Sequence, residues 1–169
     1  MAQHPLEPLN AEEFRQTAAI LRREGHVTDS FRFTSIELKE PPKGEVKAWC
    51  PGDPVPRKSF AVVLDRAENK TYEATVDLTG DAVVSFTHIA GVMPNFTVDE
   101  FHDVDAAMRI HPEVIAALAE RGFTDMSLVL FDVWTYGKAL MPEQYRDRRL
   151  GWCDLWARET PDGNPYAHP

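Results

Sequence analysis

The stretch GVMPNFTVDE, residues 91–100, decides how this chain is organised. Its first half, Gly91 to Asn95, contains a glycine, a proline and an asparagine, which are typical of a linker. In its second half, Thr97 is followed three residues later by Glu100, the spacing of a capping box that opens a helix. Because a helical pattern starts directly after a linker, we expect one domain over residues 1–92 and a second over residues 93–169.

The residues before this boundary predict one helix followed by an antiparallel meander. Asn10 and Glu13 have the spacing of an N-cap with a reciprocal carboxylate, and Gly25 is placed to end the helix with a positive φ. The predicted apolar face of this helix consists of Phe14, Ala18, Ile20 and Leu21. Alternating and β-branched residues between turn residues predict four strands, over residues 31–39, 59–65, 71–78 and 82–89.

The residues after the boundary repeat the plan of helix first and meander second. One helix is expected from Thr97 through about Arg109, and a second begins at Pro112 and ends at Gly122. Its predicted buried face consists of Val114, Ile115, Leu118 and Ala119. A strand is predicted over residues 126–134, and residues 146–159 form either one long strand or a broken pair. The fold class is therefore α+β, with two tandem domains that each pack one or two helices on an antiparallel sheet.

Composition and charge exclude several classes of function. The chain has 169 residues and a net charge of −9, with the acidic residues scattered, which argues against nucleic-acid or anionic-membrane partners. No apolar run approaches the roughly 18–20 residues that span a bilayer, and the N-terminus lacks the pattern of a secretory signal. We therefore expect a cytoplasmic protein. A disulfide between Cys50 and Cys153 is possible, but free, half-buried thiols are favoured in that compartment.

The sequence contains no self-contained active site. Its six histidines lack the spacings that place two imidazoles on one face of a strand or helix, so each is interpreted as structural: His4, His26, His88, His102, His111 and His168. Cys50 lies in a loop without a nearby histidine. There is no Gly-x-Ser-x-Gly motif and no phosphate-binding glycine-rich loop. An unrecognised enzyme is the weakest of the readings that these residues leave open.

Four stretches resemble, in the same order, the N-terminal region of bacterial copper/topaquinone-containing primary amine oxidases of the tyramine, phenylethylamine and histamine oxidase type. They are HPL at residues 4–6, FTSIELKEPPK at 33–43, DEF at 99–101 and NPYAHP at 164–169. The resemblance covers essentially the whole chain, but only the non-catalytic quarter or so of the family's length. It implies that the two halves are the second and third amine oxidase domains, both cystatin-like α+β folds, and that the catalytic domain is absent.

The resemblance also implies what the chain lacks. The family oxidises primary amines to aldehydes and releases ammonia and hydrogen peroxide, using copper and topaquinone. Its copper ligands include a His-x-His pair and its quinone forms from a tyrosine in an Asn-Tyr-Asp/Glu context; neither motif occurs here. The family's catalytic aspartate lies in the catalytic domain. We therefore expect no cofactor in this chain and no activity of the chain alone. The implied partner is an amine oxidase catalytic domain, in cis or from an adjacent gene, in a homodimeric parent protein.

The resemblance implies one functional role for the chain. Phe101, Val133, Trp134 and Tyr166 match positions that line the substrate channel of bacterial family members. Rigid aromatic side chains can flank an apolar amine tail without supplying a competing nucleophile or base. The function expected from the sequence is thus a non-catalytic N-terminal fragment, from a truncated or split gene, that supplies packing surface and part of the channel entrance. The alternative is a stand-alone cystatin-like binding or interaction module.

Overall fold

The computed structural model describes residues 4–137, 140–146 and 148–167. His168 and Pro169, which end the NPYAHP stretch, lie outside the described residues. Contacts between residues divide the chain into two units, Met1–Pro94 and Asn95–Pro169, here called the first unit and the second unit. That these units are the second and third amine oxidase domains, and that they are cystatin-like, stays a prediction.

The first unit packs one long helix against a four-stranded antiparallel sheet. Helix α1 (Ala11–Arg23) is followed by β1 (Phe31–Leu38), the short helix α2 (Lys43–Ala48), β2 (Lys58–Asp65), β3 (Lys70–Asp77) and β4 (Ala82–Ile89). The strands lie in the order β1-β2-β3-β4, so β2 is paired on both of its edges. The core of this unit is a cluster of buried hydrophobic side chains: Ile20, Leu21, Val27, Ala61, Val63, Ala74, Val76 and Leu78.

The start and the end of α1 confirm the predicted capping signals. Asn10 Oδ1 accepts hydrogen bonds from the backbone N–H groups of Glu12 and Glu13 at 2.9 and 3.0 Å. Gly25 follows the helix with a φ of +77°, a conformation that a residue with a Cβ rarely adopts. The predicted apolar face is wrong at Phe14, which is 40% exposed. Thr17 is buried in the same helix, where its hydroxyl bonds to Ser59 Oγ at 2.7 Å.

The second unit packs two helices on a two-stranded sheet. Helices α3 (Val98–Ile110) and α4 (Pro112–Glu120) precede β5 (Val129–Thr135) and β6 (Gly151–Ala157). Short 3₁₀ turns lie at Met126–Leu128, Glu143–Tyr145 and Pro165–Ala167. The core consists of Leu118, Val129 and Phe131, with Met108, Val114, Met126, Cys153 and Leu155 packed around it.

Several predictions for the second unit are wrong. The expected strand over 126–134 starts three residues later, because Asp125 Oδ1 accepts a hydrogen bond from the N–H of Ser127 and closes a 3₁₀ turn there. Residues 146–159 contain one strand of seven residues. Of the predicted buried face of α4, Ile115 and Ala119 are exposed. The expected second meander is a single strand pair in the residues that the structure describes.

The two cysteines differ in environment. Cys50 is exposed, in contrast to the half-buried thiol expected from the sequence, whereas Cys153 is half-buried on β6. Both are free thiols. Burial raises the pKa of the Cys153 thiol, with a smaller contribution from the neighbouring carboxylate of Asp154. A raised thiol pKa lowers the fraction of thiolate, so Cys153 is poorly suited to be a nucleophile.

Candidate functional site: the outer face of the second hairpin

The pairing of β5 and β6 sorts the side chains of this hairpin onto two faces. Since side chains alternate along a strand, Val129, Phe131 and Val133 point into the core, and Leu130, Asp132 and Trp134 point away from it. Val133 is 7% exposed and Trp134 is 60% exposed. On β6 the residues opposite Leu130, Asp132 and Trp134 are Trp156, Asp154 and Trp152. We call these six residues the outer face.

Two tryptophans stand side by side at one end of the outer face. Trp134 is directly opposite Trp152, which is 54% exposed. The indole Nε1 of Trp152 donates a hydrogen bond to Asp154 Oδ1 at 2.8 Å, which fixes the orientation of its ring. The ring of Tyr136 lies 6.5 Å from that of Trp152. A depression of about 400 Å³ lies at this end, lined by Trp134, Thr135, Tyr136, Gly137, Leu140, Trp152 and Asp154.

The structure brings only some of the predicted site residues together. Tyr166 is 55% exposed and packs edge-on against Trp156, with 5.2 Å between ring centroids. Trp156 is four residues from Trp152 along β6, which is about 13 Å at the rise of a strand. Tyr166 therefore lies at the opposite end of the outer face from Trp134. Both side chains are exposed, but they do not line the same depression.

Phe101 is placed by a different set of contacts. It is 38% exposed on α3, and its ring meets that of Phe96 at 6.0 Å in an edge-to-face arrangement. The backbone N–H of Phe96 donates to Thr135 Oγ1 at 2.9 Å, which ties this segment to the end of β5. A Cβ on Gly151 would lie 2.6 Å from the Phe96 ring, so a larger residue at this position of β6 would displace a neighbouring side chain.

A partly buried ion pair holds the start of α3 against the residues before β6. Arg149 binds both carboxylate oxygens of Glu100, through Nε to Oε1 and through Nη2 to Oε2 at 2.8 Å. Glu100 also accepts the N–H of Thr97 at 2.8 Å, as the predicted capping box requires. Burial raises the pKa of Glu100, but the hydrogen bonds from Arg149 and Thr97 outweigh it and hold the pKa below its ordinary value. Glu100 is thus an ionised structural anchor rather than a general base.

An ion pair with the same contacts exists in the first unit. Arg57 binds Glu13 through Nε at 2.7 Å and Nη2 at 3.2 Å, and Glu13 accepts the N–H of Asn10 at 2.9 Å. The hydrogen bond from Arg57 lowers the pKa of Glu13, against a smaller opposing effect of burial. In each unit the glutamate that completes the capping box is therefore paired with an arginine that precedes a strand.

The residues that sequence reasoning missed are Trp152, Asp154 and Tyr136. The alternation of 152, 154 and 156 would have placed the first two on the outer face, had the strand bounds been known. Among residues 4–137, 140–146 and 148–167, no group of three His, Cys, Asp or Glu side chains is arranged to hold a metal ion.

The fold and this surface define two α+β units, the second of which carries an exposed aromatic face. No helix in the described part of the chain is long and apolar enough to cross a membrane.

Comparison with known proteins assigns the family. Residues 10–86 match the AGAO-like N2 domain. The chain is 42% identical to the primary amine oxidase of Arthrobacter sp. (strain P1), over 98% of this chain and 25% of the relative. It is 31% identical to copper amine oxidase 1 of Schizosaccharomyces pombe, over 98% of this chain and 24% of that protein. The chain belongs to the copper amine oxidase family and corresponds to its N-terminal region.

A solved structure shows the same fold. The crystal structure of a copper-containing benzylamine oxidase from Hansenula polymorpha matches with a TM-score of 0.79 and 19% identity, over 98% of this chain and 27% of that chain. The antiparallel α+β architecture predicted from the sequence is thereby confirmed. The chain spans about a quarter of the length of these relatives.

Proposed function

We propose that this chain is a non-catalytic region of a copper amine oxidase that packs against the catalytic domain and supplies part of the wall of the amine entrance. The observation that carries the proposal is the 42% identity to the Arthrobacter enzyme over nearly the whole of this chain but a quarter of that enzyme. The parent reaction would be the oxidation of a primary amine to an aldehyde, with ammonia and hydrogen peroxide released. Its copper and topaquinone would be held outside this chain, and the parent would be a cytoplasmic homodimer.

The outer face supports the part of the proposal that concerns the entrance. Trp134 and Trp152 are both more than half exposed although they are large and apolar. Contiguous exposed apolar surface on a protein commonly marks an interface or a ligand groove. Ring faces can contact the hydrocarbon part of an amine and attract its ammonium group, and the adjacent Asp154 carboxylate adds negative charge. The exposures favour Trp134 and Tyr166 for this role, and Phe101 to a lesser degree, while the buried side chain of Val133 supports the strand beneath.

A chimera tests this function. The matching quarter of the Arthrobacter primary amine oxidase is replaced by this chain, and amine oxidation is followed by peroxide release. We expect an active chimera, and we expect Trp134→Ala to lower kcat/KM about fivefold, the effect of losing about 1 kcal/mol of aromatic contact, without changing copper content. Phe14→Ala is the matched control, since Phe14 is a partly exposed aromatic residue on α1 of the first unit.

The competing function is a stand-alone cystatin-like binding module. A folded chimera that is inactive with full copper content would favour that module. An active chimera in which substitutions of Trp134 and Tyr166 change nothing would instead refute the role at the amine entrance. The chain alone is expected neither to bind stoichiometric copper nor to oxidise phenylethylamine, tyramine or histamine; tight one-to-one copper binding with a quinone absorption band would contradict the non-catalytic assignment.

A further inference from the structure

The depression at one end of the outer face has the composition of an aromatic cage. Of the side chains that line it, Trp134 and Trp152 are 60% and 54% exposed, and Tyr136 is half-buried. Tyr136 N–H donates to Leu150 C=O at 3.2 Å, so the pairing continues beyond the end of β5 and Tyr136 keeps the alternation that places it on the face of Trp134. Three ring systems therefore border one depression, and we call these three residues the cage.

Contacts within the hairpin fix the position of these rings. Trp152 Nε1 donates to Asp154 Oδ1 at 2.8 Å, and the ring centroids of Trp152 and Tyr136 are 6.5 Å apart at an interplanar angle of 37°. Trp134 stands directly opposite Trp152 in the ladder, where the Cβ atoms of a pair are about 4.5–5.5 Å apart. Rings that are already fixed before a ligand arrives lose little conformational entropy on binding.

The electrostatics of the cage favour a cation. Asp154 is the one charged side chain among the described residues that line the depression. The carboxylate of Asp132, directly opposite Asp154 in the ladder, adds a second negative charge nearby. The faces of indole and phenol rings carry partial negative charge as well. The rings and the carboxylates therefore attract the same kind of ligand, a positively charged one.

Quaternary ammonium ions suit this environment better than a primary ammonium does. A primary ammonium is a compact, strongly hydrated charge, and a single carboxylate replaces only part of its water. In a quaternary ion, alkyl groups take the place of the N–H donors and pack on ring faces, which is why aromatic cages bind such ions. The volume of about 400 Å³ lies at the small end of the range of ligand pockets, roughly 300–1,000 Å³. A small quaternary cation thus matches the cage in charge, surface and size.

We propose that the cage, together with Asp154, binds small quaternary ammonium ions, with the nitrogen over the ring faces and beside the carboxylate. A consequence for the parent enzyme rests on the proposed function, in which the outer face borders the amine entrance. A quaternary ammonium ion is not a primary amine and is not oxidised. It therefore occupies the entrance without turnover and inhibits the oxidation of the substrate.

The test is an NMR titration of the 169-residue chain with choline and with its neutral isostere, in which a tert-butyl group replaces the trimethylammonium group. Each of the four tryptophans gives its own indole N–H resonance, so the place of binding is read directly. We expect choline to shift the resonances of Trp134 and Trp152 and to leave those of Trp49 and Trp156 in place. The neutral alcohol is expected to bind about tenfold more weakly than choline, and methylammonium about fivefold more weakly than tetramethylammonium.

Variants separate the charge of Asp154 from its hydrogen bond. Asp154→Asn keeps an oxygen that accepts the Trp152 indole N–H but removes the charge. We expect it to weaken choline binding about fivefold and to leave the binding of the neutral alcohol unchanged. Trp152→Leu removes one ring and is expected to weaken choline binding by a similar factor. Phe14→Leu removes a partly exposed ring from the first unit and is the matched control, with no effect expected.

The proposal is overturned if choline does not bind, if choline and the neutral alcohol bind alike, or if the shifted indole resonances are those of Trp49 and Trp156. It is also overturned if Asp154→Asn binds choline as tightly as the unchanged chain. The comparison of the two ligands uses the unchanged chain, so it does not depend on the folding of a variant.

The active chimera tests the consequence separately. Choline is expected to inhibit amine oxidation by the chimera, and Trp152→Leu is expected to relieve that inhibition. If the chain binds choline as predicted but choline does not inhibit the active chimera, the cage stands and the role at the amine entrance is refuted.

Discussion

The first and second units secure the start of their first helix in the same way, but they finish their sheets differently. In the first unit, β2 lies between β1 and β3 and is bonded on both edges. In the second, β6 also follows an arginine that pairs with the capping glutamate, but it is bonded to β5 alone in the described residues. An isolated strand pair is marginally stable in water. The comparison teaches that the second unit relies more heavily on its helices and its ion pair.

We expect the largest loss of stability when either of the two ion pairs is broken. Removing one partner of a fully buried pair costs about 3–5 kcal/mol, because a buried charge is left without compensation, and we expect these partly buried pairs to lie near the lower end. The side chains of Arg57 and Glu13 are 8% and 15% exposed, and those of Arg149 and Glu100 are 15% and 12% exposed. We expect Arg57→Met and Arg149→Met to destabilise their own units by similar amounts, measured by residue-resolved hydrogen exchange.

The matched control for the ion pairs is Arg15→Met. Arg15 and Glu12 form a pair whose side chains are 72% and 80% exposed, and such pairs contribute about 0.5 kcal/mol or less. A cost for Arg149→Met as small as that of the control would show that the two units are not anchored alike.

We expect a smaller loss of stability from Gly151→Ala, which affects the second unit alone. The added Cβ would lie 2.6 Å from Phe96 Cε2 and 3.0 Å from Val133 Cγ1, so one of these side chains must shift. Overpacking of this kind costs about 1–3 kcal/mol, measurable by urea unfolding. Gly44→Ala is the control, because nothing lies within 4 Å of its Cβ position in α2, and there alanine is expected to be neutral or stabilising.

Acid should weaken both units. The folded-state pKa values of Glu13 and Glu100 lie below the ordinary value of 4.5. The stabilisation from a depressed carboxyl pKa is present above the unfolded-state value and is lost as pH falls through the folded-state value. Unfolding followed from pH 7 to pH 2 should therefore lose stability below about 4.5, and Glu100→Gln should flatten that dependence in the second unit. A pH profile unchanged by this substitution would contradict the assignment.

The smallest expected effect is a gain in stability from a substitution on the outer face. Asp132 and Asp154 lie directly opposite each other on β5 and β6, and like charges in such pairs are destabilising. Asp132→Asn should therefore raise the free energy of unfolding by about 0.5 kcal/mol at low salt, and less at high salt. Asp103→Asn, on the exposed side of α3, should leave the melting temperature unchanged.

Local signals predicted much of this fold. The capping residues Asn10, Thr97 and their glutamates marked both helix starts, and the four strands of the first unit were placed within one residue of their observed ends. Helix α2 was missed because the prolines before it signalled only the end of β1. The ion pairs could not be predicted, because Arg57 and Arg149 are far in sequence from the glutamates that they bind.

The candidate site was predictable only in part. The family resemblance selected Trp134 and Tyr166, and both side chains are exposed. It could not separate Val133 from Trp134, because the face on which a strand residue lies depends on register, and a shift of one residue reverses it. Trp152 was missed because its position opposite Trp134 follows from the pairing of β5 with β6.

Hydrogen exchange of the backbone amides of β2 and β6 tests the central comparison most directly. Amides that are bonded between strands exchange slowly, and unbonded ones exchange quickly. We predict that Ser59, Ala61 and Val63 are protected, because β3 covers their edge. In β6 we predict an alternating pattern, with Trp152, Asp154 and Trp156 protected by β5 and with Cys153, Leu155 and Ala157 exchanging quickly. Equal protection of all these β6 amides in the monomeric chain would contradict the pairing of β6 on one edge alone.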